Sequence, residues 1–228
     1  PDDAQRGAVP GGADHARPCV GAVVDARTRW VVGALSAGTL LSPLNSSMIA
    51  VALVPLRHDF GLNAAQVSWV VTVFYLASAA GQPMMGRLGD RFGARRLFVI
   101  GMVAAAAVSA ATMVAPSFAL VCAGRAALAV ATATAFPSAV TMIRPLSESS
   151  GVPASHLLGR IQIANTSGAA IGPVLGGVLE TLYGWPAIIA VTIPVALLSA
   201  LGVAGWAPRD SAVDLAAAVG NSRSIATN

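Results

Sequence analysis

Apolar residues dominate the middle of the chain in six long runs that contain almost no ionisable side chains. The runs cover residues 30–56, 67–85, 97–115, 118–143, 161–182 and 187–206. A helix needs about 20 apolar residues to cross a bilayer, and only helices and closed barrels satisfy all their backbone groups there. The runs are too long and too continuously apolar for barrel strands. The pattern therefore predicts an all-α, polytopic membrane protein with six transmembrane helices.

The composition agrees with a membrane location. Of the 228 residues, 55% are hydrophobic and 11% are charged, whereas a soluble domain carries about 25% charged residues. The net charge of +4 does not indicate nucleic acid as a partner, because the chain has no lysine and only 2 tyrosines and 6 phenylalanines for base stacking. Cys19 lies in a polar tail and Cys122 in an apolar run, so no disulfide framework is expected.

The positions of the arginines predict the orientation of the chain. Of the 14 arginines, 12 lie in the two tails or in the connections after the second and fourth runs, and only Arg57 lies on the opposite side. This positive-inside bias predicts that both termini are cytoplasmic and that the arginines face anionic lipid headgroups of the plasma (inner) membrane. Residues 1–29 are expected to form a disordered tail, residues 30–206 the bundle, and residues 207–228 a second tail.

The connection between the second and third runs carries a specific motif. It reads Gly86-Arg-Leu-Gly-Asp90-Arg91-Phe-Gly93-Ala-Arg95-Arg96. Its glycines permit a tight turn, its aspartate can accept hydrogen bonds, and its arginines suit anionic headgroups, so a plain positive-inside loop is one interpretation. The spacing also resembles the signature loop of the major facilitator superfamily. That resemblance implies a conformational latch, which would include Arg95, with Asp90 reaching a loop arginine and a helix of a second half.

The fifth run contains glycines spaced to form one helix face. Gly168, Gly172 and Gly176 recur at every fourth position, with Pro173 and Gly177 beside them. Such a face lets a neighbouring backbone approach closely, and the proline favours a bend. Small residues also pack ordinary membrane helices, but the pattern resembles the antiporter motif of drug:proton antiporters in the same superfamily. We expect this glycine face to need a partner surface outside the six-helix bundle.

Arg125 lies about a third of the way into the fourth run. A guanidinium at that depth is costly unless water, a carbonyl or a partner compensates it, so a functional cavity is the first interpretation. The alternative is that the side chain snorkels to the outer interface. The related antiporters carry an arginine here in an R-x-x-Q-G pattern implicated in proton coupling. Leu128 and Ala129 replace the Gln and Gly in this chain, so the resemblance covers the arginine alone.

The first run resembles the first-helix motif of the fourteen-helix drug antiporters. Those proteins commonly open the motif with an acidic residue, whereas this chain has Asn45. An amide cannot carry a proton, so the substitution argues against proton binding on this helix. Asn45 can still hydrogen-bond a substrate or Arg125.

Further polar side chains lie on the second and fifth runs. Tyr75, Ser78 and Gln82 are spaced to share one helix stripe, and Gln162 and Asn165 lie one turn apart. Such stripes either line a cavity or join one helix to the next.

Several kinds of chemistry have no sequence signal. His15, His58 and His156 lie in tails or loops, and no phosphate-binding loop, selectivity filter or metal-ligand motif is present. We therefore expect neither an enzyme nor a cofactor.

Residues 30–206 are thus similar to the amino-terminal six-helix half of a major facilitator transporter, most closely the drug:proton antiporters. The resemblance implies alternating access between two six-helix bundles, with protons as the driving ion and small, often amphipathic molecules as exported substrates. It also implies a second half or another copy of the chain as partner. Residues 212–219 start like a further apolar segment, which then lapses, as expected of a truncated or interrupted transporter. The alternatives are an inactive truncated half-transporter, a membrane scaffold without transport activity, and a six-helix channel.

Overall fold

The computed structural model describes residues 26–207, and these residues are almost entirely helical, without strands. The helices are α1 (Ala26–Asp59), α2 (Ala64–Val67), α3 (Trp69–Phe92), α4 (Ala94–Met113), α5 (Phe118–Thr132), α6 (Ala135–Ser150), α7 (Ala154–Tyr183), α8 (Trp185–Ala190) and α9 (Thr192–Trp206). Most of the two predicted tails lies outside the described residues. Of the tail residues, only 26–29 and Ala207 are described, and residues 26–29 belong to α1. The all-α prediction is confirmed.

Six long helical segments correspond to the six apolar runs. The breaks at Ala133–Thr134 and at Val191 keep right-handed helical dihedral angles, so α5 with α6, and α8 with α9, each form one interrupted segment. Five segments are long and apolar enough to cross a membrane by themselves: Ala26–Asp59, Ala64–Phe92, Ala94–Met113, Phe118–Ser150 and Trp185–Gly205. The sixth, α7, is 30 residues long and is less apolar because glycine, serine, threonine and amide side chains interrupt it.

The helices extend beyond the apolar runs, which shortens the connections. The predicted connector at residues 86–96 is mostly helical, because α3 continues to Phe92 and α4 begins at Ala94. Gly93 alone makes the turn, with φ of 90° and ψ of 131°, a conformation that a side chain with a Cβ atom adopts only with strain. The motif residues Gly86, Asp90 and Arg91 therefore lie on the end of a helix rather than in a loop.

Helix α1 lies at the centre of the bundle. It packs along α7 and α9, while α4 packs against α9 and α5, and α3 packs against α5. The buried core is aliphatic, with Phe74 and Phe98 as its large aromatic members. Large apolar side chains also cover much of the outer surface, as lipid contact requires; they include Trp30, Leu76, Ile100, Val174 and Leu201.

The end of α1 is joined to α8 and α5 at the surface predicted to face outward. The indole Nε1–H of Trp185 donates a hydrogen bond to Asp59 Oδ2 at 2.9 Å. Phe60 packs against the rings of Trp185 and Phe118, with centroid distances of 6.1 and 6.0 Å. These contacts hold the outer ends of α1, α5 and α8 together. They thereby set where, along the bundle axis, the deeper polar groups of these helices lie.

Candidate functional site

Arg125 lies in the interior of the bundle. It is seven residues after the first residue of α5, which places its Cα atom about 10 Å along the helix at about 1.5 Å per residue. Only 1% of its surface is exposed. The side chain therefore does not snorkel to the outer interface, and in this conformation it does not border water either. It is a buried charge that neighbouring helices must compensate.

Three helices contribute side chains to the surroundings of Arg125. Its Nη1–H donates a long hydrogen bond of 3.4 Å to Oδ1 of Asn45 on α1, which is one of the two partners that the sequence allowed for Asn45. Asn45 in turn donates from Nδ2 to Oγ1 of Thr192, the first residue of α9, at 2.9 Å. The guanidinium carbon lies 4.4 Å from the ring centroid of Phe74 on α3, within cation–π range. We call these four residues the Arg125 cluster.

The Arg125 cluster leaves polar atoms unsatisfied. Nε and Nη2 of Arg125 have no hydrogen-bond partner among the described residues, and neither has the buried hydroxyl of Ser78 on α3. Ser78 lies one helical turn after Phe74 and therefore on the same face of α3. Buried donors without partners are rare in proteins and costly, which makes them a functional signal.

Phe74 and Thr192 were not expected from the sequence. Phe74 is one of 6 phenylalanines and has no distinguishing motif. Thr192 sits in an apolar run, where a threonine hydroxyl usually bonds to a carbonyl of its own helix. The signal that could have drawn attention to Thr192 is Pro194, which has no N–H for the carbonyl of Ala190 and so interrupts the helix near Val191.

The predicted polar stripes are not part of the Arg125 cluster. Tyr75 is 54% exposed, and Gln82 and Gln162 are exposed as well. Asn165 is half-buried, and its Oδ1 has no partner among the described residues. Tyr75, Gln82 and Gln162 lie on the outer faces of α3 and α7 in the six-helix bundle, and the ring of Tyr75 meets that of Phe74 edge-on at a centroid distance of 5.8 Å.

The glycine face of α7 packs against α1. A Cβ atom at Gly176 would lie 3.2 Å from the Cα and carbonyl oxygen of Met48, and one at Gly172 would overlap the Ser47 hydroxyl. A Cβ atom at Gly168 would overlap the Leu40 side chain. The close helix approach predicted from the spacing is confirmed, but the expectation that this face needs a surface outside the bundle is wrong. The glycines are used within the chain, whereas a Cβ atom at Gly177 would meet nothing within 4 Å and Pro173 is exposed.

The residues of the predicted latch lie at the end of the bundle opposite the Trp185–Asp59 contact. Asp90 and Arg91 are exposed and Gly86 is half-buried. Arg95, at the start of α4, donates from Nε to the carbonyl of Val203 at 3.4 Å and from Nη2 to the carbonyl of Ala204. A cation at the carbonyl end of a helix is favourable. Arg95 thus joins the motif to the end of α9.

The described residues offer no metal site. Between residues 26 and 207, no group of three or more histidine, cysteine or acidic side chains is arranged to hold a metal ion.

The sequence profile of the Major Facilitator Superfamily matches residues 35–223. The chain belongs to this family of membrane transporters. The relatives include the uncharacterized MFS-type transporter YwoD of Bacillus subtilis, which is 40% identical over 168 residues, 74% of this chain and 36% of that protein. They also include the multidrug efflux pump LfrA of Mycolicibacterium smegmatis, which is 36% identical over 174 residues, 74% of this chain and 33% of that protein.

The chain spans about a third of the length of these curated relatives. A third relative, the tetracenomycin C resistance and export protein of Streptomyces glaucescens, is 32% identical over 72% of this chain and 30% of its own length. Among solved structures, the chain is similar to a bacterial homologue of the human lysosomal transporter Spinster in an inward-facing, unoccupied conformation. The TM-score is 0.68 over 81% of this chain and 44% of that one. At 19% identity, this likeness shows the fold alone.

Proposed function

We propose that this chain forms one half of a transporter that exports small, amphipathic organic molecules from the cytoplasm by proton-coupled alternating access. The observation that carries the proposal is the Arg125 cluster, in which one buried charge links α5 to α1, α3 and α9. Relatives that include a multidrug efflux pump and an antibiotic export protein support export as the direction. The substrate pathway would run between this bundle and a second six-helix half or another copy of the chain.

The cluster can serve as a switch because its hydrogen bonds are long or few. The one hydrogen bond from Arg125 to Asn45 is 3.4 Å long, so breaking it when α5 separates from α1 costs little free energy. Water or substrate that enters would satisfy the free donors of Arg125 and so stabilise an open conformation. A ligand shifts such an equilibrium only by its difference in affinity between the two states. In this mechanism, the groups that face Arg125 determine which conformation is stable. Exchanging those groups is thereby coupled to helix movement.

The other polar side chains predicted on α3 and α7 fit the same mechanism. Tyr75, Gln82, Gln162 and Asn165 would face the second half and line the substrate path there. Gly86, Asp90, Arg91, Gly93 and Arg95 would form the latch against that half on the cytoplasmic side, where the arginine distribution predicts both termini. Gly168, Gly172 and Gly176 would hold α7 against α1 as one rigid unit during the movement, with Pro173 and Gly177 on its free side.

The proposal is tested in the complete reading frame that encodes this chain, expressed in a bacterial strain that lacks its major efflux pumps. Ethidium and a panel of neutral and anionic dyes report export, with and without a protonophore. Arg125→Ala should abolish the export that the wild type shows, whereas Arg144→Ala, which removes an exposed arginine of α6, should not. Wild-type export of no dye, or export that Arg125→Ala leaves intact at equal protein level, would defeat the proposal.

A further inference from the structure

Arg125 has no carboxylate partner among the described residues. The acidic side chains between residues 26 and 207 lie near the carboxyl ends of α1, α3, α6 and α7, and they are exposed or half-exposed; they are Asp59, Asp90, Glu148 and Glu180. The hydrogen-bond and ring contacts of Arg125 are instead with an amide and an aromatic ring. A buried charge is normally paired, so this half of the transporter holds a cation that lacks its anion.

The unpartnered atoms of Arg125 form a recognisable donor pair. Nε–H and one N–H of Nη2 lie on the same edge of the planar guanidinium, and both nitrogens lack a partner among the described residues. The occupied nitrogen, Nη1, is on the other side. Two parallel N–H groups at this spacing match the two oxygens of a carboxylate or a similar oxyanion. The edge that would bind an oxyanion is therefore the edge that the described residues leave without a hydrogen-bond partner.

Ser78 supplies a third donor on the neighbouring helix. Its hydroxyl is buried and has no partner among the described residues. It follows Phe74 by one helical turn, and Phe74 is in direct contact with the guanidinium. A hydroxyl at this position can donate to the same ligand. A cationic ligand would be repelled by Arg125, and an uncharged amphipathic ligand would leave its charge uncompensated.

We propose that the molecules carried by this transporter are organic anions or zwitterions whose carboxylate binds the Nε–Nη2 edge of Arg125. This inference rests on the proposed function and adds the substrate class to it. In the conformation described here the edge is sealed, so the ligand enters when α5 separates from α1 and α9. The bound carboxylate supplies the missing counter-ion and thereby stabilises the conformation in which Arg125 is accessible.

Three fluorescent probes on one dansyl frame test the proposal with the complete transporter purified in nanodiscs. Dansylglycine carries a carboxylate, dansylglycinamide is its neutral amide, and dansylethylenediamine carries an ammonium group. Probe fluorescence gives the dissociation constants. Because hydrogen bonds to charged groups are stronger than neutral ones, we expect dansylglycine to bind at least about tenfold more tightly than the amide, and the ammonium probe to bind most weakly.

Matched variants then assign the preference to Arg125. Arg125→Gln keeps a hydrogen-bond donor but removes the charge. In this variant, dansylglycine and dansylglycinamide should bind with about equal dissociation constants. Arg160→Gln removes an exposed arginine of α7 and should keep the preference. If Arg125→Gln does not fold, the ranking of the three probes on the wild type and on Ser78→Ala still decides, because loss of the Ser78 donor should weaken dansylglycine several-fold more than the amide.

The opposite rankings would overturn the inference. If the ammonium probe or the neutral amide binds at least as tightly as dansylglycine, the substrate is not an anion, while export itself, measured separately in cells, would stand. If sodium chloride protects the protein against heat and dansylglycine has no advantage, the edge holds an inorganic ion and the substrate assignment is wrong. If export fails in cells, the proposed function fails before the substrate class is considered.

Discussion

Nη1 of Arg125 lies 3.4 Å from Oδ1 of Asn45, although the two residues are 80 positions apart in the sequence. An amide rather than an acid thus faces the one charge found in the interior of the described bundle. An amide offers one partial negative oxygen, whereas an acid would neutralise the guanidinium and accept two hydrogen bonds. The ligand binding and the opening proposed for this site follow from this incomplete pairing.

Asn45→Asp should raise stability and block ligand binding. The desolvation cost of the Arg125 charge is already present in the wild type. A carboxylate at this position adds electrostatic attraction to that charge and should raise the free energy of unfolding by about 1–3 kcal/mol. Asn45→Leu, which removes the acceptor, should lower stability by a similar amount. The midpoint of thermal unfolding in detergent checks both variants. A lower midpoint for Asn45→Asp together with an unchanged one for Asn45→Leu would contradict the role given to this pair.

Phe74 should be energetically coupled to Arg125. The ring face attracts the guanidinium by about 0.5–2 kcal/mol in a site without water. A double-mutant cycle with Phe74→Leu and Arg125→Met measures this coupling from unfolding free energies. Phe98 is an equally buried ring on α4 without a contact to Arg125, and Phe98→Leu in the same cycle should give a coupling near zero. Equal couplings for the two phenylalanines would exclude a specific interaction.

Neighbouring glycines of α7 should respond differently to the same substitution. Gly176→Ala places a methyl group 3.2 Å from the Met48 backbone, which cannot rotate away, so α7 must move off α1 at a cost of about 1–3 kcal/mol. Gly177→Ala meets nothing within 4 Å and should be neutral or slightly stabilising. Thermal unfolding of the two variants separates these outcomes. Similar losses in both would mean that the α1–α7 contact does not depend on the glycine face.

Gly93 should be the sensitive glycine at the turn between α3 and α4. Its φ of 90° means that Gly93→Ala introduces strain of about 1–3 kcal/mol. Gly89→Ala is the control, because Gly89 is helical and its Cβ atom would make an ordinary 3.6 Å contact with Leu97. Only the Gly93 variant should unfold at lower temperature and loosen α3 from α4. An unaffected Gly93→Ala protein would show that the turn tolerates other conformations.

The sequence predicted the helices well and their ends poorly. Apolar runs mark what crosses the bilayer, but α3 continues past Gly86 to Phe92 through charged residues. Hydropathy cannot detect such an extension, because a helix in water needs no apolar run. The turn between α3 and α4 therefore consists of Gly93 alone, where the sequence had predicted a loop of several residues.

The site was predictable only in part, for a similar reason. Arg125 and Asn45 stand out because they are polar residues in apolar runs, and this allowed a contact between them as one of two alternatives, the other being a contact of Asn45 with a substrate. Thr192 and Phe74 do not stand out, since their roles depend on which helices are neighbours. Glycine spacing likewise identified the packing face of α7, but it could not identify α1 as the surface that covers it.

The Arg125 cluster is expected to open to water during transport, although it is sealed in this conformation. Thr192→Cys places a thiol in the cluster of the complete transporter, in a background with Cys19→Ser and Cys122→Ser. Membrane-impermeant thiol reagents are then applied from each side, with and without dansylglycine. The account predicts labelling from both sides at rates that the ligand changes in opposite directions. A thiol that remains unreactive from both sides under all these conditions, in protein that still transports, would contradict it.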